Sequence, residues 1–195
     1  MQRRNFMFTA GAAIASAGLA LSGCTLTDTN ASQSDNGGKR RTINSGIDAT
    51  LGKLYVAAPG SRELVNKARG ILVFPSVIAA GFVVGGQYGE GALRVGGQSV
   101  GYYSTATASF GLQIGAQSKS LIFLFLTQDA LDKFRNSQGW AVGADASVAV
   151  LDIGANGNVD TTSIKAPVEA FVLTNAGLMA NLSLEGTKVT RLNSL

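Results

Sequence analysis

Residue types that commonly carry catalysis are few in this 195-residue chain and poorly placed for it. The absence of histidine removes the commonest general base, the usual serine-hydrolase triad and most zinc sites. Asp129 and Asp132 suit a helix start. Asp145 and Asp152 are seven residues apart, so on one strand their side chains would point to opposite faces and could not easily share a site. The sequence contains neither Gly-x-Gly-x-x-Gly followed by a helix nor Gly-Lys-Ser/Thr, the two common glycine-rich motifs that bind phosphate. We therefore expect no catalytic residue, cofactor, metal or enzymatic activity.

The only cysteine, Cys24, sits where a chemical modification is expected. A basic start is followed by the apolar run 6–21, which is too short and too weakly apolar to span a membrane. Leu21-Ser22-Gly23-Cys24 resembles the lipobox of bacterial lipoproteins, in which the cysteine is acylated and becomes the new N-terminus. The alternative is a buried thiol after an ordinary signal peptide. We predict a signal peptide over residues 1–23 and lipidation, palmitate included, at Cys24.

The export route and destination are also suggested by short motifs. Arg3-Arg4-Asn5-Phe6 resembles a twin-arginine export signal, although the general secretion route stays open. Thr25, rather than Asp, follows the lipidated cysteine, which resembles lipoproteins sent to the outer membrane. We expect a lipid-anchored protein of the bacterial cell envelope that faces the periplasm.

The mature chain is only mildly basic. Removal of Arg3 and Arg4 lowers the formal net charge from +4 to +2, which does not favour nucleic acid as a partner. Residues 24–43 are expected to form a lipidated, disordered tether because they contain few apolar side chains. Residues 44–195 then form one domain, held by core burial without a disulfide.

Basic side chains precede the expected sheet and could meet anionic headgroups, although a charge run is more often simply solvated. Each basic residue near a charged bilayer contributes about 1 kcal/mol. The candidates for headgroup binding are Lys39, Arg40, Arg41, Lys53, Arg62, Lys67 and Arg69.

Two amphipathic helices are predicted before the strands. The first has the start signal Ser45-x-x-Asp48, apolar residues at helical spacing and a stop at Pro59-Gly60. Ser61 is expected to cap a second short helix. We expect this pair to pack at one end of a sheet.

Glycine spacing is the clearest fold signal. A helix would lose about 1 kcal/mol per glycine relative to alanine, so residues 71–97 are expected to be strands. With a period of two, Gly81, Gly85, Gly89 and Gly91 share one face, and Gly111 and Gly115 share a face of the alternating segment 108–117. Such glycines let a sheet bend sharply or another backbone approach closely.

The remaining pattern predicts further strands and one helix. Residues 121–126 are apolar on both faces and should form the most central strand, followed by a short helix capped by Thr127. Further strands are expected at 140–150, 168–174, 178–184 and 188–192. The fold class is α+β, with a strongly curved, mostly antiparallel sheet or small β-barrel and short N-terminal helices at one end.

Several segments in order resemble the SYLF domain family, in the branch found in bacterial lipoproteins. They are KARGILVFPSVIAAGFVVGGQYGEGALRVGG, GYYSTATASFGLQIGAQSKS, LFLTQDALDKFRNSQGWAVGADASVAVLD and GLMANLSLEGTKVTRL. The resemblance implies a lipid-binding module, with acidic phospholipids as ligands of eukaryotic members and actin associated with fungal members. The Trp-Ser-x-Pro segment of eukaryotic relatives is absent, and Tyr102-Tyr103 lie in that neighbourhood.

Three functions remain open on the sequence. The first is a lipoprotein whose SYLF-like domain binds anionic phospholipid at the envelope surface. The second is an envelope scaffold that binds a protein partner or self-associates. The third is a carrier that holds a hydrophobic ligand within the curved sheet, although large aromatic side chains could fill that space.

Overall fold

The computed structural model describes residues 29–81, 84–110, 117–151, 159, 166–179 and 183–195, and these form three helices and one nine-stranded sheet. The signal peptide, Cys24, Gly111 and Gly115 lie outside the described residues. The elements are α1 (Thr29–Ala57), α2 (Ser61–Lys67), β1 (Gly70–Gly81), β2 (Val84–Val95), β3 (Gln98–Phe110), β4 (Gln117–Phe125), α3 (Gln128–Asn136), β5 (Trp140–Ala141), β6 (Val148–Val150), β7 (Val168–Thr174), β8 (Gly177–Leu178) and β9 (Lys188–Arg191).

The strands follow the order β5-β9-β3-β2-β1-β4-β7-β6, and β8 pairs with β7. All pairs are antiparallel except β6 with β7. The sheet curls strongly into a half-barrel, so the expected α+β fold with a curved, mostly antiparallel sheet is confirmed. Residues 121–125 of β4 are buried on both faces as expected. The prediction that this strand is the most central one is wrong, because β2 and β1 occupy the middle of the order.

Each face of the sheet carries its own apolar cluster. On the inner face, Phe74, Phe123, Phe125, Phe134 and Trp140 are buried together. On the outer face, α1 and α2 pack on alternate residues of β1, β2, β4 and β7. Because successive strand residues point to opposite faces, the same strands supply both clusters.

A bulge in β1 explains two of the conspicuous glycines. Phe74 and Pro75 together lie opposite Gly91, because Val73 pairs with Ala92 and Ser76 with Glu90. A Cβ on Gly91 would overlap the Val73 carbonyl oxygen, and one on Gly89 would lie 2.7 Å from that of Ser76. The expected close approach of another backbone is therefore present in this β1–β2 pair.

The start of the first helix differs from expectation. Residues 29–43 belong to α1, so the expected disordered tether is wrong over that range, as is the helix start at Ser45. The hydroxyls of Thr42 and Ser45 donate to carbonyls three or four residues earlier, which accommodates them inside the helix. Ile43 is already buried against the sheet side of the helix. Helix α1 is consequently long rather than short, and it packs along the outer face of the sheet rather than at one end.

The ends of the helices were predicted with mixed success. Helix α1 ends at Ala57, before Pro59-Gly60, as expected. Gly60 occupies the N-cap of α2 without a side-chain bond, so Ser61 does not cap it. The Ser61 hydroxyl instead donates to the Leu54 carbonyl oxygen at 3.5 Å. Thr127 does cap α3 by accepting from the Ala130 amide at 3.3 Å.

Two expected strands are shorter than the sequence pattern suggested. The predicted strand 140–150 is divided into β5 and β6 because Gly143 adopts a φ of +91° and the Asp145 carboxylate accepts from the Ala141 amide at 2.7 Å. The predicted strand 178–184 is represented by β8, which ends at Leu178, and residues 180–182 lie outside the described part. Strands β7 and β9 agree with prediction.

No helix in the described ranges is long and apolar enough to cross a membrane.

Candidate functional site

Helix α1 is joined to the outer face of the sheet along an apolar stripe. Ile43, Ile47, Leu51 and Leu54 recur at helical spacing and are buried. The helix approaches the β1 bulge closely, since a Cβ on Gly46 would lie 2.9 Å from the Cβ of Pro75. This packing fixes where the polar and basic residues of α1 meet the sheet.

The first polar contact joins α1 to the middle of β2. The Glu90 carboxylate accepts from Lys39 Nζ at 2.8 Å and from the Tyr88 hydroxyl at 2.8 Å. Burial, followed by the hydrogen bond to Glu90 and its charge, raises the pKa of Tyr88 above its ordinary value. The Tyr88 hydroxyl therefore stays protonated and donates a hydrogen bond to the carboxylate.

A second polar cluster holds α1 against β2 and β3. The Arg40 guanidinium lies 5.5 Å from the Tyr102 ring centroid, and Asn44 Nδ2 donates to the Tyr102 hydroxyl at 3.0 Å. Ser99 donates to Asn44 Oδ1 at 2.6 Å. Arg94, whose side chain is only 12% exposed, bonds Asp48 and the Asn44 carbonyl. The sequence pattern did not reveal these sheet partners because none has a periodic signature.

The seven predicted basic residues fall into two groups and a single residue. Lys39, Arg40 and Arg41, termed the α1 basic segment, are exposed on consecutive positions of α1. Because a helix turns about 100° per residue, their side chains leave the axis in different directions. Arg62, Lys67 and Arg69, termed the α2 basic cluster, lie on or just after α2, and Lys53 is exposed on α1.

The two groups lie toward opposite ends of the sheet. We call the turn end the one where β1 ends and β2 begins, and the α2 end the one where α2 leads into β1. Lys39 contacts Glu90, four residues nearer the turn end than Arg94, the partner of Asp48. The α2 basic cluster precedes Gly70 at the α2 end.

Side-chain partners further distinguish members of the α2 cluster. Lys67 pairs with Glu63 at 2.7 Å, and the Arg62 guanidinium lies 4.0 Å from the Tyr55 ring centroid. The hydrogen bond from Lys67, and then its charge, lowers the pKa of Glu63. Both members of the Lys67–Glu63 pair are well exposed, so water screens the attraction.

The inner face is largely occupied by aromatic rings. Phe134 packs with its ring centroid 4.9 Å from Phe125, 5.0 Å from Tyr103 and 5.5 Å from Trp140. A small polar-edged pocket of about 220 Å³ lies beside this cluster, lined in part by Val142, Ser147 and Glu185. The described part of the inner face is thus mainly packed protein, which disfavours a large apolar ligand there.

Besides Arg94, the sequence prediction did not include Lys119. Lys119 pairs with Val77 in the β1–β4 ladder, and Val77 belongs to the inner-face cluster. Burial lowers the pKa of the Lys119 ammonium group below its ordinary value. Among the described residues, no group of three or more potential metal ligands is present.

The fold and the site together define a curled-sheet domain whose first helix, which carries the α1 basic segment, packs against the outer face of the sheet. Residues 106–194, somewhat less than half of the chain, match the family model described as "Ysc84: Las17-binding protein actin regulator". This is the SYLF family, so the resemblance is confirmed over residues 106–194. No curated protein matches the chain.

Proposed function

We propose that the chain is a lipoprotein anchored through acylated Cys24, whose SYLF-like domain binds anionic phospholipid at the surface of the cell envelope. The supporting observation is the α1 basic segment: Lys39, Arg40 and Arg41 are exposed on the helix that follows the anchor. The domain works by binding and not by catalysis. It faces the periplasm from the outer membrane.

The contacts of the α1 basic segment are compatible with headgroup binding. The Lys39 side chain remains 44% exposed despite its pair with Glu90, and exposed pairs contribute little to stability. A phosphate can therefore approach Lys39 without displacing a strong internal interaction. With about 1 kcal/mol per basic residue, the three side chains together supply about 3 kcal/mol at a charged bilayer.

Flotation with vesicles tests this proposal. The chain beginning at Thr25 lacks the acylated residue but keeps every described element. It should float with phosphatidylglycerol or cardiolipin vesicles and much less with neutral phosphatidylcholine vesicles. Equal recovery with both vesicle types would refute headgroup recognition.

A pair of charge-matched variants locates the contact. Replacing Lys39, Arg40 and Arg41 by Gln should weaken binding to anionic vesicles about 100-fold, the equivalent of about 3 kcal/mol. The control replaces Arg62, Lys67 and Arg69 by Gln, which removes the same charge at the α2 end. An equal loss in both variants would show a diffuse electrostatic effect and would contradict the assigned site.

Acylation has its own test. Protein made in its host should partition into detergent and show the mass of a diacylated Cys24, and Cys24→Ala should abolish both properties. An aqueous, unmodified wild-type protein would refute the anchor. This result is independent of headgroup binding by the domain.

A protein partner is the second candidate, because the matching family is described as a Las17-binding protein and actin regulator. In this chain such a partner would belong to the envelope. Crosslinking in intact cells would favour this function if it captured a specific protein while the Thr25 chain failed to float with either vesicle type.

A further inference from the structure

Two large apolar side chains remain exposed on the outer face near the turn end. Ile78 is 54% exposed and Tyr88 is 52% exposed, and the two are direct cross-strand partners in β1 and β2. Ala106, which pairs with Tyr88 from β3, is also exposed. We call Ile78, Tyr88 and Ala106 the turn-end patch. It lies on the same face as α1, because Tyr88, Glu90 and Ala92 alternate along β2 and Ala92 packs in the α1 cluster.

The patch is continuous with the α1 basic segment. Tyr88 and Lys39 share the Glu90 carboxylate, each at 2.8 Å. An aromatic ring with a polar tip, an aliphatic side chain and a cation are therefore adjacent on one surface. Tyrosine suits a boundary that is apolar on one side and wet on the other. A lysine beside it suits a phosphate-bearing surface.

The course of α1 indicates what lies opposite this patch. From Asp48, which meets Arg94, to Lys39, which meets Glu90, the helix advances along β2 toward the turn end. Thr29 begins the helix ten residues earlier, about 15 Å further from the Arg94 contact. Cys24 precedes Thr29 by only five residues, which span at most about 18 Å when extended. The acyl chains of an anchored protein would therefore enter the bilayer on the turn-end side.

We propose that the turn-end patch is the surface that the domain lays against the bilayer, with Ile78 and Tyr88 at the boundary between headgroups and acyl chains. This inference rests on the proposed function, since the anchor at Cys24 brings the membrane to that side. It adds an orientation: the turn end faces the lipid, and the α2 basic cluster faces away. Lys39 then stands beside the apolar contact and meets the headgroup phosphates.

Site-directed fluorescence on the acylated full chain in vesicles tests the orientation. Cys24 is the only cysteine and its thiol is consumed by acylation, so Ile78→Cys provides a single labelling site for an environment-sensitive probe. Val100→Cys is the matched control, because Val100 is also a β-branched residue, is 44% exposed and lies near the β2–β3 turn at the opposite end. Both variants must keep the wild-type circular dichroism spectrum.

The probe at position 78 should shift to shorter wavelength and be quenched several-fold more than the probe at 100 by lipids carrying a shallow nitroxide. Equal quenching at both positions, or stronger quenching at 100, would overturn the orientation. A wavelength shift at 78 that depends on protein concentration, without quenching by the nitroxide lipid, would indicate contact with a second copy of the chain. That result would also overturn the proposed orientation.

The two proposals fail in different ways. If the unacylated chain floats only with anionic vesicles but the probe at 78 is not quenched, the orientation is wrong while headgroup binding stands. If the probe at 78 is quenched but the unacylated chain floats equally with neutral and anionic vesicles, the patch assignment is supported while selective headgroup recognition is lost.

Discussion

Substitution of Gly91 by alanine tests whether the β1 bulge needs a glycine beneath it. The added Cβ would overlap the Val73 carbonyl oxygen and lie 2.8 Å from the Phe74 ring. The carbonyl belongs to a strand paired on both sides, so it cannot move without disturbing the β1–β2 or the β1–β4 ladder. Overpacking usually costs 1–3 kcal/mol, and a backbone neighbour places this case at about 3 kcal/mol or more.

Thermal unfolding followed by far-ultraviolet circular dichroism measures the effect. For a chain of this length, each 1 kcal/mol lowers Tm by about 2–4 °C, so Gly91→Ala should lower it by roughly 6–12 °C. Gly86→Ala is the control in the same strand, since its Cβ would meet nothing nearer than the Thr107 carbonyl oxygen at 4.0 Å. That variant should match or slightly exceed the wild-type Tm. A Gly91→Ala protein with an unchanged Tm would refute the account of the bulge.

Three further predictions concern α1, the inner core and alkaline pH. Asp48→Ala leaves the nearly buried Arg94 with fewer acceptors and should lower the free energy of unfolding in denaturant by about 1–3 kcal/mol. Glu63→Gln, in a well-exposed pair, should leave that free energy unchanged. Equal effects of the two substitutions would contradict the role of burial. Phe134→Ala removes three ring contacts and should cost about 3–5 kcal/mol, and a loss below about 1 kcal/mol would contradict the packed inner face. Burial raises the pKa of Tyr103 above its ordinary 10.0, so the folded state keeps this proton where the unfolded chain has lost it. The stability contributed by this hydroxyl is complete below pH 10.0 and is lost as the pH rises through the raised pKa, so Tyr103→Phe should flatten the alkaline fall in stability; an unchanged fall would contradict this.

The sequence predicts those parts of the fold that depend on local or strictly periodic signals. Thr127 precedes an amphipathic run with acid at its start, and the helix forms there with that cap. The glycine spacing correctly indicated close backbone approach, although not which strand would bulge. The bulge at Pro75 depends on the pairing of β1 with two neighbours at once, which no local pattern encodes.

Two segments differ from prediction, one because of tertiary packing and the other because of a local turn. The polar residues around Ser45 suggest a helix start, but Ile43 is buried against the sheet, so the helix continues upstream of Ser45. Segment 140–150 alternates like one strand, yet Gly143 and Asp145 form a turn within it. Residues distant in sequence determine the first outcome, whereas a local turn determines the second.

The candidate site was only partly visible in the sequence. The basic residues could be named, but their division between the α1 basic segment and the α2 basic cluster follows from the path of α1 across the sheet. The sequence pattern places Tyr88 and Glu90 in a strand and does not indicate that they meet Lys39. Their contact with Lys39 emerges from the pairing of helix and sheet, and it joins the basic segment to the turn-end patch.

The most direct measurement is equilibrium binding of the unacylated chain, beginning at Thr25, to vesicles of increasing phosphatidylglycerol content at low and high salt. We expect affinity to rise steeply with the anionic fraction and to fall at high salt, because the α1 basic segment is exposed and its attraction is screened. Affinity that is independent of lipid charge and salt, or absent at every composition, would contradict anionic phospholipid binding by this domain.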